Sequence, residues 1–111
     1  MTNLLNQNTL DELRSLGDDF FQEMIELFLE SSQNQMELIR QGVTEQNGSN
    51  IESAAHSLKG ACYGQGAKEL SELCAEMEKD GREGNLSGTE ELMSRLEKSL
   101  SLTAAELKKL L

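Results

Sequence analysis

At 111 residues with 37% apolar, the chain is sized for one domain around one core. A formal charge of −10 excludes the basic surface that nucleic acid or an anionic membrane requires; it fits either steering towards a basic protein partner or solubility alone. Absence of proline and tryptophan, with aromatics at 4%, leans the chain towards helix.

Met1-Thr2-Asn3 shows neither a basic stretch nor an apolar one, so no secretory leader is expected. No apolar run reaches the length of a membrane span, and the expected location is cytoplasmic. A short first helix is predicted from about Thr9 to Leu16. Thr9 caps it, Glu12 completes a capping box, Leu10 and Leu13 point one way, and Gly17 stops it. Asp18 or Asp19 caps a second helix running to about Gln41. Phe20, Met24, Leu27, Phe28, Gln35, Leu38 and Ile39 form its stripe. Phe21, Ile25 and Leu29 widen that stripe beyond one face, which predicts contacts on two sides.

"TEQNGSN" reads as a loop, with Ser49 or Asn50 capping a third helix from Ile51 to about Tyr63. Gly64-Gln65-Gly66 breaks or bends the chain. A fourth helix follows with Ala67, Leu70, Leu73, Cys74 and Met77 on one face, and "KDGREGN" is the next loop. Ser87 and Glu90 make a second capping box for a fifth helix, striped by Leu92, Met93, Leu96, Leu100, Thr103, Leu107 and Leu110. No segment alternates at period two. The predicted fold is all-α: an antiparallel up-down bundle of four long helices with the short first helix as a lid, in one domain over residues 1–111. Cys62 and Cys74 fall at small or apolar positions and read as reduced thiols in a helix interface. A disulfide or metal pair is the alternative, with no CxxC and a single histidine to support it.

That histidine lies in "SAAHSLKGACYGQGA". Ile51, Ala54, Ala55, Leu58 and Cys62 share one face of the third helix, and His56 lies about 140° round from Ile51, outside that face. A lone histidine is ordinarily a packing or idle surface residue. Here Gly60 stands one turn on, at a cost of about 1 kcal/mol against Ala in a helix interior. Lys59 adds a cation on the same side. A nucleophilic nitrogen, a clear approach and a local cation suit an incoming phosphoryl group.

These residues carry a resemblance. "AAHSLKGACYGQGAKELSELCAEME" resembles the signature of the histidine-containing phosphotransfer (HPt) domain family of two-component phosphorelays. His56, Leu58, Lys59, Gly60, Ala61, Cys62, Gly66 and Ala67 meet the first part of the pattern, and Leu70, Leu73, Cys74 and Glu78 the second. "LRSLGDDFFQEMIELFLESS" is similar to the family's entry into its second helix. Gln65 departs, standing where the family usually has an apolar residue; it loosens the bend or offers a hydrogen bond near the site.

The resemblance implies that His56 accepts a phosphoryl group from a receiver-domain aspartate, or from a sensor kinase, and passes it to a response-regulator aspartate. Glu78 would hydrogen-bond the ring and fix its tautomer, or else be a solvated residue beside Met77. Lys59 would balance charge on the phosphoryl oxygens, or else pair with Glu52 or Glu69. Gly60 would give access. Leu10, Leu13, Phe21 and Ile25 would present a docking surface, with Tyr63 and Gln65 beside it, or else Leu10, Leu13, Phe21 and Ile25 pack the lid onto the bundle. The implied partners are receiver domains and a hybrid sensor kinase, with this chain a monomer. No cofactor of its own is expected, and Mg²⁺ belongs to the partner receiver. The sequence shows no ATP-binding loop, so no autonomous kinase activity is expected. The rival readings are a non-phosphorylated helical protein that regulates a kinase or receiver by docking, and, less well supported, a metal or haem site pairing His56 with Met24, Met36, Met77 or Met93. A hydrolase lacks a second catalytic group near the histidine.

Overall fold

The structure, a computed structural model, describes residues 4–111; the leader reading of Met1–Asn3 lies outside the described residues. Five helices follow one another: α1 (Gln7–Arg14), α2 (Asp18–Glu45), α3 (Gly48–Tyr63), α4 (Lys68–Glu83) and α5 (Thr89–Lys108), with no strand among the described residues. At about 1.5 Å per residue the 28 residues of α2 span the 42 Å long axis of the molecule. Helix α2 packs on α3 and α5, α3 packs on α4, and α4 packs on α5, so the four long helices close a ring; α1 lies against α2.

The helix ends differ from the sequence reading, and the reasons are local. Asn6, not Thr9, caps α1, its Oδ1 accepting from the Thr9 amide at 3.1 Å. Gly17 precedes α2 at φ 122°, a conformation open only to glycine, and Asp18 and Asp19 sit inside the first turn, where they meet the helix dipole. Asn47, one residue before the predicted loop glycine, caps α3 through the Asn50 amide at 3.1 Å. No side chain caps α5; Ser87 donates to Asn85 instead.

Two of the glycines read as punctuation are interior to helices. Gly42 lies within α2, where a Cβ would stand 2.9 Å from Cγ1 of Ile51. Gly81 lies within α4, where a Cβ would stand 2.7 Å from the Gly48 carbonyl oxygen and 2.8 Å from the Glu52 amide. Both are needed for close helix approach, so α2 and α4 run on past the predicted stops.

The core face of α3 is the one the sequence predicts: Ile51, Ala54, Ala55, Leu58 and Cys62 are all buried, as are Leu70, Leu73, Cys74 and Met77 of α4. On α2 the core draws on both predicted stripes. Phe21, Ile25, Phe28, Met36, Ile39 and Val43 fill the core, and Phe20, Leu27 and Leu38 are exposed. Cys62 and Cys74 are free, buried thiols, and their mutual hydrogen bonding together with burial pushes the Cys74 thiol far above its ordinary value. A thiol so raised is a poor nucleophile.

The glycine contacts predict opposite effects for two substitutions of the same kind. Gly81→Ala forces the α3 and α4 backbones apart and should cost about 1–3 kcal/mol in urea unfolding. Gly60→Ala places its methyl group where nothing lies within 4 Å, and should raise stability by about 1 kcal/mol. Equal unfolding midpoints for the two variants would contradict this packing.

Candidate functional site

The site is assembled across the α3–α4 crossing. His56 projects from the exposed side of α3, its side chain 69% exposed. Glu78 comes from α4, less than a turn from Gly81, with its side chain only 12% exposed. Oε2 of Glu78 lies 2.9 Å from Nδ1 of His56, and Oε1 lies 2.6 Å from Nζ of Lys59. One carboxylate therefore serves both side chains, one oxygen to each. The predicted alternatives for Lys59, pairing with Glu52 or Glu69, are not what it does; Glu52 approaches Arg82 at 3.8 Å.

The chemistry follows from donor and acceptor inventory. A carboxylate only accepts, so the neutral imidazole that faces Glu78 carries its proton on Nδ1. Nε2 is left with its lone pair, on the exposed side of a ring held from behind. The Lys59 ammonium is the main reason the Glu78 carboxyl sits below the usual carboxylate range; burial opposes this, and His56 adds to it. The hydrogen bond to Glu78 in turn raises Lys59. Glu78 is thus ionised at neutral pH although nearly buried, because it is paired twice. Gly60 stands one turn beyond His56 with open space where a side chain would go, so no internal packing requires a glycine there.

The other predicted site residues fall into two groups. Tyr63 is 63% exposed, two turns along α3 from the imidazole. Leu10, Phe21 and Ile25 are buried in the core and Leu13 packs against it, so they join α1 to the bundle and offer no surface for docking. Gln65 is also corrected: it is buried, and its Nε2 donates to the Met24 carbonyl of α2 at 3.3 Å. That bond ties the α3–α4 turn to α2, next to Gly66, whose carbonyl accepts from the Asn6 amide at 2.9 Å. The exposed apolar side chains near α2 and α3 are instead Leu16, Phe20, Leu27 and Leu38, with Tyr63; Leu102 and Leu111 are exposed elsewhere. Phe20, Leu27 and Leu38 recur at helical spacing along α2 on the side towards α3. The signal that could have found them was present, since α2 carries two apolar stripes and a core needs only one.

Comparison with known proteins bears on the family and the fold. The family model described as Hpt domain matches residues 23–106. The crystal structure of histidine-containing phosphotransfer protein B (HptB) from Pseudomonas aeruginosa PAO1 is similar over 98% of this chain and 95% of that one, with a TM-score of 0.93 and 21% sequence identity. At that identity the likeness is one of fold. No curated protein matches the chain.

The paired carboxylate has a pH signature. A depressed carboxyl stabilises the fold above its unfolded value of about 4.3, and that stabilisation is lost as pH falls through the lower folded value. Glu78→Gln should therefore be less stable than wild type by about 1–2 kcal/mol at pH 7, with the gap closing below about pH 4. A gap independent of pH would mean that the charge of Glu78 does not matter to the fold.

Proposed function

Because the chain belongs to the Hpt domain family, we propose that it is a phosphorelay intermediate with His56 as the phosphoryl acceptor. The observation that carries the reading is the His56–Glu78 hydrogen bond, which keeps the ring proton on Nδ1 and leaves the Nε2 lone pair free for attack from an exposed side chain. A phosphoryl group arrives as an acyl phosphate on the aspartate of a receiver domain. Nε2 attacks phosphorus, the bond from phosphorus to the aspartate oxygen breaks, and the carboxylate leaves with the electron pair. The phosphorylated ring retains its Nδ1 proton, and the ionised Glu78 stabilises the positive charge that the ring acquires. Lys59, close by on the same carboxylate, balances the phosphoryl oxygens. Transfer to a second receiver aspartate is the reverse of the same step.

In this reading Mg²⁺ is supplied by the partner's carboxylate pocket, and the partners are a hybrid sensor kinase and response-regulator receivers. The chain works as a cytoplasmic monomer; among its described residues no helix is long and apolar enough to cross a membrane. Helix order and the short connections support an antiparallel up-and-down arrangement of α2 to α5, with α1 as a lid over the α3–α4 turn. Docking is carried by the exposed row Leu16, Phe20, Leu27 and Leu38, with Tyr63 beside it.

The test is phosphoryl transfer from a phosphorylated receiver domain. Wild type should acquire an acid-labile, alkali-stable label that His56→Gln lacks while remaining folded. A label that persists in His56→Gln, or none on wild type from a receiver that binds it, rejects the reading. Leu27→Ser with Leu38→Ser should raise the receiver concentration needed for half-maximal transfer about tenfold, leaving the rate at saturation unchanged.

A further inference from the structure

Helix α4 sorts its charges by face. At about 100° per residue, Ser71, Arg82, Ala75, Lys68 and Lys79 follow Glu78 round the exposed half that adjoins α3. Glu72, Glu83, Glu76, Glu69 and Asp80 occupy the half that adjoins α5. Side-chain positions agree with this division. Arg82 approaches Glu52 of α3 at 3.8 Å, and Lys68 lies in one hollow with Tyr63. Glu69, Glu72 and Glu76 line an open groove with Arg95 and Lys98 of α5. All three cations of α4 thus lie on the side of His56, and all its acids except Glu78 lie away from it.

Helix α2 is divided in the same sense. Its side towards α3 carries the row Phe20, Leu27 and Leu38, with Glu45 only at its C-terminal end, while Glu23, Glu26, Glu30 and Glu37 lie farther round. Helix α3 contributes only Glu52 and Lys59 besides His56. Around His56 the cations Lys59, Lys68, Lys79 and Arg82 stand against the carboxylates Glu52 and Glu78, four against two, in a chain whose total is −10. The two carboxylates already face cations. Lys68 and Lys79 are exposed and form no ion pair among the described residues.

We infer that Lys68 and Lys79 form a cationic rim on α4 that steers an acidic partner domain onto His56. The inference rests on the phosphotransfer reading for the partner's chemistry: a pocket that holds a divalent cation beside a phosphorylated aspartate is built of carboxylates, so its mouth is acidic. Such a mouth is repelled by the acidic outer side of α2 and drawn to the α3–α4 side. Lys68 and Lys79 stand three turns apart on one row, flanking the approach to the imidazole from α4, while the apolar row of α2 flanks it from the other side. The rim acts on encounter and orientation, before any bond is made, and its effect is screened by salt.

The test is a charge swap that leaves the net charge unchanged: Lys68→Glu and Lys79→Glu together with Glu72→Lys and Glu76→Lys. All four side chains are exposed, and the i, i+4 spacing of opposite charges at positions 68 and 72 is kept with its polarity reversed. Association with a Mg²⁺-bound receiver domain is followed by stopped flow, separately from label transfer to His56. The swap should slow association about tenfold at low ionic strength and much less at 0.5 M salt, with transfer at saturating receiver unchanged. Equal association rates for wild type and swap at low salt overturn the rim, and the phosphotransfer reading then stands or falls on the label alone. A bound receiver that leaves no label on wild-type His56 overturns the phosphotransfer reading, while the association rates still judge the rim. Absence of association with wild type at low salt overturns both.

Discussion

The backbones of α3 and α4 meet where Gly48 and Gly81 face each other, at a separation that no side chain could share. Small residues continue that contact along the pair, with Ala55 and Cys62 on α3 and Ser71 and Cys74 on α4 all buried. Close approach matters because Glu78 has a short reach. It must span from one helix to the other, meet an imidazole and an ammonium at once, and remain nearly out of water. A wider crossing would admit solvent between carboxylate and ring, and the carboxylate would then be hydrated instead of paired. The same glycines that look like breaks in the sequence therefore set the geometry of the site.

The pairing of Glu78 resolves a conflict between burial and charge. An isolated carboxylate at this depth would resist ionisation, and the Lys59 ammonium together with the imidazole N–H donor removes that penalty. The consequence is a polarised unit: an acceptor behind the ring, a lone pair in front of it, and a cation at its side. None of the three groups is unusual alone. Their joint effect comes from sharing one carboxylate, which orients His56 without covering it. Orientation from behind and exposure in front are both needed by a group that must give and receive phosphoryl from bulky partners.

The surface is organised around the same side of the molecule. The acids that make the chain strongly anionic are concentrated on the outer side of α2 and on the face of α4 towards α5, and near His56 the two carboxylates Glu52 and Glu78 already face cations. This answers in part why the overall charge is so negative. Net charge keeps the protein soluble, and its distribution leaves one approach that an acidic partner is not repelled from. Buried polar groups elsewhere fit the same division of labour: Gln65 holds the α3–α4 turn to α2 and is structural, although it lies next to the site in sequence.

From the sequence alone the helical class, the core faces of α3 and α4, the exposure of His56 and its association with Lys59, Gly60 and Glu78 were legible. The class, the faces and the neighbours Lys59 and Gly60 follow from periodicity within one helix, whereas Glu78 was implied only by the resemblance to the Hpt signature. What tertiary structure decided was everything that depends on a neighbour. Two apolar stripes on α2 are equivalent in periodicity, and only packing against α1, α3 and α5 buries Phe21 and Ile25 and leaves Phe20 and Leu27 outside. Gly42 and Gly81 could be stops or contacts, and only the approach of Ile51 and Gly48 makes them contacts. Gln65 reads as a surface residue of the motif until the Met24 carbonyl is placed beside it. Hydrophobic period is a property of one helix, whereas which face is covered is a property of the pair.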